Sequence, residues 1–332
     1  MKNICVTGAS GFVAMALISE LVKKGHIVTG TLRDLSSAKQ IKTDIESHLG
    51  QSVEINFVKA DLTKDDGWVD AFKDCDAVMH IASPFPAKTP KNPDDVLIPA
   101  IQGTKRVLKK ALESKVNRVI MTSSNAAIWF GNFDQTHYNH ETWTNVDHKA
   151  IDTYTKSKTL AEKAAWAFVK ENPELKLTSI NPSVVWGPGV GNHLNKTSIG
   201  FFKMLVKKEM PVVPNMKVPF VDIRDVVKMY INALENDKSI GKRFLVTNDP
   251  EWMIDFCNHI RYIGYEAPNK VAPNLMMKII SFLDSSMKPS IPMLGHDYHL
   301  NTDQSKKILG FEPTANETLI KDTVAYLDKY LK

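Results

Sequence analysis

From Ile4 to Ile180 the chain alternates short, apolar, β-branched runs with longer stretches of helical period. No other feature limits the possible fold as much. Strands are expected at Ile4 to Thr7, Ile27 to Leu32, Val53 to Ala60, Ala77 to Ile81, Arg118 to Thr122 and Leu177 to Ile180. Helices are expected at Phe12 to Lys24, Ala38 to Ser47, Asp94 to Ser114 and Thr153 to Glu171, with Trp68 to Phe72 inside another. Successive β-α units require a parallel sheet with helices on both faces. Strands covered on both faces lose the polar alternation of half-exposed ones, as Ile4-Cys5-Val6 does. The expected class is therefore α/β: a Rossmann-type doubly wound parallel sheet with a smaller, mostly helical C-terminal lobe.

After about Asn181 the pattern is less regular. A helix is expected at Ser198 to Lys208 and strands at Phe220 to Ile223 and Phe244 to Thr247. A Met-rich helix, Asn274 to Leu283, faces either the core or a ligand pocket, and a Met stripe at helical spacing more often fills a core. The division expected is a nucleotide-binding domain over 1–182, with 218–248 returning to it, and a mainly substrate-binding lobe over 183–332. With no flexible linker between them, the lobes should pack together around a cleft.

Composition excludes several classes. The net charge of +5 comes from interspersed lysines, which reads as a solvated surface and not as a nucleic-acid footprint. The three cysteines, Cys5, Cys75 and Cys257, are widely spaced and form no CxxC or Cys/His cluster. Neither a metal site nor a disulfide framework is expected, and the usage fits a reducing compartment. No apolar run approaches the roughly 20 residues needed to span a bilayer. Met1-Lys2-Asn3 leads straight into a strand, so no signal peptide is expected and the expected location is cytoplasmic. Monomer and homodimer both remain open.

The first strand is followed at once by Thr7-Gly8-Ala9-Ser10-Gly11-Phe12-Val13-Ala14, which opens the first helix. Gly8 permits the tight turn, Gly11 lets backbone approach a pyrophosphate, and Ala14 lets the helix pack closely on the strand. The helix start offers free N–H groups and a positive dipole end to phosphate. Gly8, Ser10, Gly11, Phe12 and Val13 are thus the phosphate-contact candidates. At the end of the second strand an NAD site carries a carboxylate against the ribose hydroxyl. Here Leu32 stands at that position, followed by Arg33, whose guanidinium suits a 2′-phosphate and favours NADP. Asp34 comes one residue too late. Lys39 either adds charge to this pocket or is simply solvated. Asp61-Leu62 and Ala82-Ser83-Pro84 close the third and fourth strands, where adenine and ribose contacts belong in such sheets.

Tyr154 and Lys158 lie four residues apart on an expected helix and share a face. A nearby ammonium should lower the phenol pKa and let Tyr154 exchange a proton with a carbonyl or alcohol oxygen. Met121-Thr122-Ser123-Ser124-Asn125 ends the fifth strand, and one of its serines can hold the substrate oxygen. Spacing alone separates Ser123 from Ser124 poorly.

These motifs, with YTKSKTLAEKAAW over 154–166, NPSVVWGP over 181–188 and FVDIRDV over 220–226, resemble the extended short-chain dehydrogenases/reductases. Within them the chain is most similar to the branch of dihydroflavonol reductases, cinnamoyl-CoA reductases and yeast methylglyoxal/isovaleraldehyde reductases. The resemblance implies Ser124, Tyr154 and Lys158 as the catalytic set and Arg33 at a 2′-phosphate. It implies Asp61 and Leu62 near adenine, Pro182 and Val185 along the nicotinamide, and Ser198 at a phosphate. The implied reaction is NADPH-dependent reduction of an aldehyde or ketone, with Tyr154 as proton donor. The alternatives are an NAD-dependent nucleotide-sugar epimerase or dehydratase and a non-catalytic NADP-sensing regulator. Dihydroflavonol reductases carry Asn or Asp five residues after the catalytic serine. Trp129 stands there instead, and it, Phe130 and Phe133 either line an apolar pocket or pack on the neighbouring helix.

Overall fold

The expected parallel sheet is present in a computed structural model, which describes residues 1–84, 90, 92–194, 197–283 and 285–331. Its strands are β1 (Asn3–Val6), β2 (Ile27–Leu32), β3 (Ile55–Lys59), β4 (Ala77–His80), β5 (Arg118–Thr122), β6 (Lys176–Pro182) and β9 (Lys242–Val246). Between the last two lie β7 (Val184–Trp186) and β8 (Phe220–Asp222), which pair with each other and not with the main sheet. The main sheet runs β9-β6-β5-β4-β1-β2-β3, with every pair parallel.

Alternation within β1 shows how both faces are covered. Ile4 and Val6 enter one core with α1 (Phe12–Lys23), while Cys5 enters the other with Val107 and Leu108 of α4 (Asp94–Glu113). The first core continues into the C-terminal half, where Trp186 stacks on Phe220 at 4.0 Å. Removing a fully buried indole of this kind costs about 3–5 kcal/mol. α5 (Thr153–Glu171) packs beside α4 on the second face.

The sheet order reverses between β1 and β4, and ligands of doubly wound sheets usually bind in a crevice at the carboxyl ends of the strands at such a point. α1 starts beside it and α5 reaches it from the far side of β5.

The fold departs from two expectations. The Met-rich helix Asn274–Leu283 exists with those bounds, but it is not a core helix. Met277 is buried, whereas Leu275 is 70% exposed and Phe282 85% exposed. Apolar spacing defined a face, and among the described residues no element covers most of it. The second departure concerns Trp129, expected at a pocket wall or against a neighbouring helix, whose stacking partner Tyr298 lies outside any helix. Trp129 is fully buried, stacked on Tyr298 at 4.2 Å and beside Phe130 at 4.1 Å, with Phe133 edge-on at 6.1 Å. A late segment of the chain supplies the stacking partner, which local sequence could not reveal.

Candidate active site

Gly8 adopts φ +70°, a conformation open to glycine at little steric cost. A Cβ there would lie 3.1 Å from the Cα of Ala82, so the turns after β1 and β4 approach each other backbone to backbone. Thr7 fastens them. Its hydroxyl oxygen accepts from the N–H groups of Ile81 and Ala82, each at 3.0 Å. With both lone pairs engaged, its hydrogen goes to His80 Nδ1, also 3.0 Å away. That assignment makes His80 neutral with its proton on Nε2, and burial together with Lys158 pushes the imidazole down to about 3, in agreement. Thr7 and His80 escaped the sequence reading as site residues, although Thr7 stood inside the glycine-rich motif and His80 inside the expected fourth strand.

Around this crevice Ser10 is exposed, and Gly11 and Val13 are half-buried at the start of α1. The Phe12 ring turns away, edge-on to His193 at 5.4 Å and beside Tyr326, leaving its backbone at the helix start. Arg33 and Lys39 are exposed beyond the carboxyl end of β2. Asp34 is committed elsewhere, accepting from the N–H and hydroxyl of Ser36. Asp61 accepts from the N–H and hydroxyl of Thr63, both at 2.8 Å, and these bonds hold its carboxyl low, with Arg33 and Lys64 adding to the effect. Leu62 is half-buried against Gly103 of α4, and Ala82 and Ser83 are half-buried after β4. Pro182 ends β6, Val185 lies buried in β7, and the Ser198 carbonyl accepts from the Trp186 indole at 2.7 Å.

The two serines part company. The Ser124 hydroxyl hydrogen-bonds the Tyr154 phenol. Ser123 turns beneath the loop and donates to Glu162 Oε2 at 2.6 Å. Asp152 caps α5 by accepting from the Thr155 N–H at 2.7 Å, so Tyr154 sits in the first turn and Lys158 one turn further on. Lys158 is 7% exposed, and burial pushes its ammonium down to about 8 against the opposing pull of Glu162. The expected depression of the tyrosine does not occur. Burial pushes the phenol up to about 12; the Ser124 bond works against the rise and Asp152 works with it. Helical spacing predicted a cation on the same face but not the burial that sets the phenol's acidity.

Glu162 was also missed. It is fully buried, four residues after Lys158 on the same helix face. Oε1 accepts from Arg243 Nε at 2.7 Å and from the Trp166 indole at 3.1 Å; Oε2 accepts from Ser123 and from Asn181 at 2.8 Å. Burial works to raise this carboxyl, but Arg243 and the hydrogen-bond donors outweigh it and hold it low. Its spacing from Lys158 was the available signal.

The strand order, the Gly8 crevice and the Ser124–Tyr154–Lys158 cluster define a Rossmann-type protein of the extended short-chain dehydrogenase/reductase class. Residues 4–246 match the NAD dependent epimerase/dehydratase family, and the chain belongs to it. A cinnamoyl-CoA reductase of Medicago truncatula, CAD2, is 31% identical over 98% of this chain and 95% of its own. The NADPH-dependent methylglyoxal reductase GRE2 of Saccharomyces cerevisiae is 28% identical over 99% of this chain and 98% of its own. The crystal structure of yeast Gre2 complexed with NADPH superposes with a TM-score of 0.80, at 26% identity and 99% coverage of both chains.

Proposed function

We propose that this protein is an NADPH-dependent carbonyl reductase that converts a small or medium aldehyde or ketone to its alcohol. The observation that carries the reading is the Ser124–Tyr154 hydrogen bond with Lys158 one turn along the same helix, beside the crevice at the carboxyl ends of β1, β4 and β5. The crevice suits a dinucleotide: bare backbone at Gly8 lets the turns after β1 and β4 meet with no side chain between them, and exposed Arg33 and Lys39 supply cations where a 2′-phosphate would sit. Leu32 in place of a carboxylate argues against NAD and against the sugar-nucleotide alternative. The relatives named as NADPH-dependent methylglyoxal reductase and cinnamoyl-CoA reductase support the same chemistry. Residues 1–182 with 218–248 would hold the cofactor and 183–332 would mainly shape the substrate cleft.

NADPH, when bound, supplies the hydride. The chain supplies the rest. Tyr154 keeps its proton at neutral pH because burial holds the phenol near 12, as a proton donor for reduction must. The Ser124 hydroxyl holds the carbonyl oxygen beside that phenol and polarises it. As the proton leaves Tyr154, the Lys158 ammonium one turn away stabilises the phenolate. Its N–H groups would also hold ribose hydroxyls.

The test is NADPH oxidation by the purified protein against methylglyoxal, medium-chain aldehydes, aryl ketones and a dihydroflavonol, with NADH in parallel and Tyr154→Phe as control. NADPH-dependent turnover that falls by about 100-fold or more in Tyr154→Phe is expected from loss of a general acid. Absence of turnover on every carbonyl, with NADPH still bound, would overturn the reading.

A further inference from the structure

Beneath the proposed site lies a buried charge that touches none of the candidate contact residues except through its neighbours. Glu162 joins three parts of the chain that local structure does not hold together. Through Asn181 it reaches the Ser124 backbone: Asn181 Nδ2 donates both to Glu162 Oε2 at 2.8 Å and to the Ser124 carbonyl at 3.1 Å. Through Ser123 it holds the residue before Ser124. Through Arg243 it reaches the loop that follows. Arg243 donates to the carbonyls of His140 and Thr142 at 2.8 Å each and to that of Ala127 at 3.2 Å, and its guanidinium lies over the Trp143 ring at 3.6 Å.

Lys158 is surrounded by few charges. On its own helix Glu162 acts on it, and from β4 it meets His80, which is neutral. Glu162 in turn meets Arg243 from β9, with Ser123, Asn181 and Trp166 as neutral donors. Among the described residues, Glu162 is therefore the negative charge acting on Lys158. A carboxylate fully withdrawn from water and given four donors is expensive to build for packing alone.

We propose that Glu162 is a positioning residue: it supplies the counter-charge that keeps Lys158 an ammonium and, through Ser123, Asn181 and Arg243, fixes the Ser124 loop against the Tyr154 helix. The inference rests on the reductase reading for the role of Lys158, but its test does not require turnover. NADPH affinity is measured by fluorescence titration from pH 6 to pH 9.5, alongside the pH profile of kcat on whichever carbonyl is turned over.

In the unaltered protein, binding should weaken as Lys158 deprotonates, near pH 8. In Glu162→Gln the same weakening should begin about one pH unit lower, because a nearby opposite charge has been removed. Glu162→Gln/Arg243→Met, which leaves no unpaired buried charge, should show the same displacement if the single variant does not fold. Trp166→Phe strips one donor and leaves the charge, so its pH profile should not move. A lowered melting temperature in Glu162→Gln with an unmoved binding profile would overturn the proposal and leave Glu162 a packing residue. No turnover by the unaltered protein, with a displaced binding profile in Glu162→Gln, would overturn the reductase reading and keep this one.

Discussion

Ser124 faces Tyr154 while its neighbour Ser123 faces Glu162, so one pair of adjacent identical residues serves two different layers of the protein. Ser124→Ala should lower kcat by about 100-fold or more, the usual effect of removing a donor to a developing oxyanion. Ser123→Ala should leave kcat within a few-fold of the unaltered value. It should instead lose about 1–3 kcal/mol of stability, because a buried carboxylate oxygen gives up a donor. Parallel steady-state kinetics and urea denaturation decide the matter, and the reverse pattern would exchange the roles of the two serines.

Arg33 is exposed beyond β2 and helps to hold the Asp61 carboxyl low, a place for a guanidinium that would meet a phosphate. Arg33→Ala should weaken NADPH binding by about 10- to 100-fold, the worth of a charge-assisted hydrogen bond, and leave NADH binding unchanged. Equal weakening of both cofactors would place Arg33 elsewhere.

Gly8→Ala should damage both fold and site. Its positive φ costs an L-residue about 1–2 kcal/mol, and the new methyl would press on the Ala82 backbone at 3.1 Å. The expected result is a lowered denaturation midpoint together with loss of NADPH binding by titration. A variant of normal stability that still binds NADPH would show that the crevice opens elsewhere.

His80 gives a pH dependence of stability with a definite sign. Its folded pKa, about 3, lies below the ordinary 6.5, so between those values the unfolded chain binds a proton that the folded chain refuses. The contribution is fully present above pH 6.5 and is lost as pH falls toward 3, by up to about tenfold in the folding constant per unit. Denaturation midpoints at several pH values between 7 and 4 should fall less steeply in His80→Gln. Identical slopes would assign the acid sensitivity to carboxylates.

The bounds of Arg118–Thr122 and Thr153–Glu171 were legible because each is set locally: a strand buried on both faces has an unbroken apolar run, and Asp152 caps the helix it precedes. What was illegible depends on distant partners. Asn274–Leu283 was readable as a helix, but its covering was not, because an apolar stripe does not say what faces it. The burial of Trp129 depends on Tyr298, and the charge on Glu162 depends on Arg243. The Tyr154 phenol shows the same limit in electrostatics: spacing reveals a neighbouring cation, while burial is a property of the whole fold.

Arg243 lies on the last strand to join the sheet, and chains fold as they are made, from the N-terminus. A ribosome that has delivered everything through Pro182 has therefore released all the motif residues of the crevice and of the Tyr154 helix, yet Glu162 still lacks its guanidinium. A gene fragment ending before Lys242 would keep the Ser123 and Asn181 bonds to Glu162 yet encode a protein whose buried carboxylate has lost its cation.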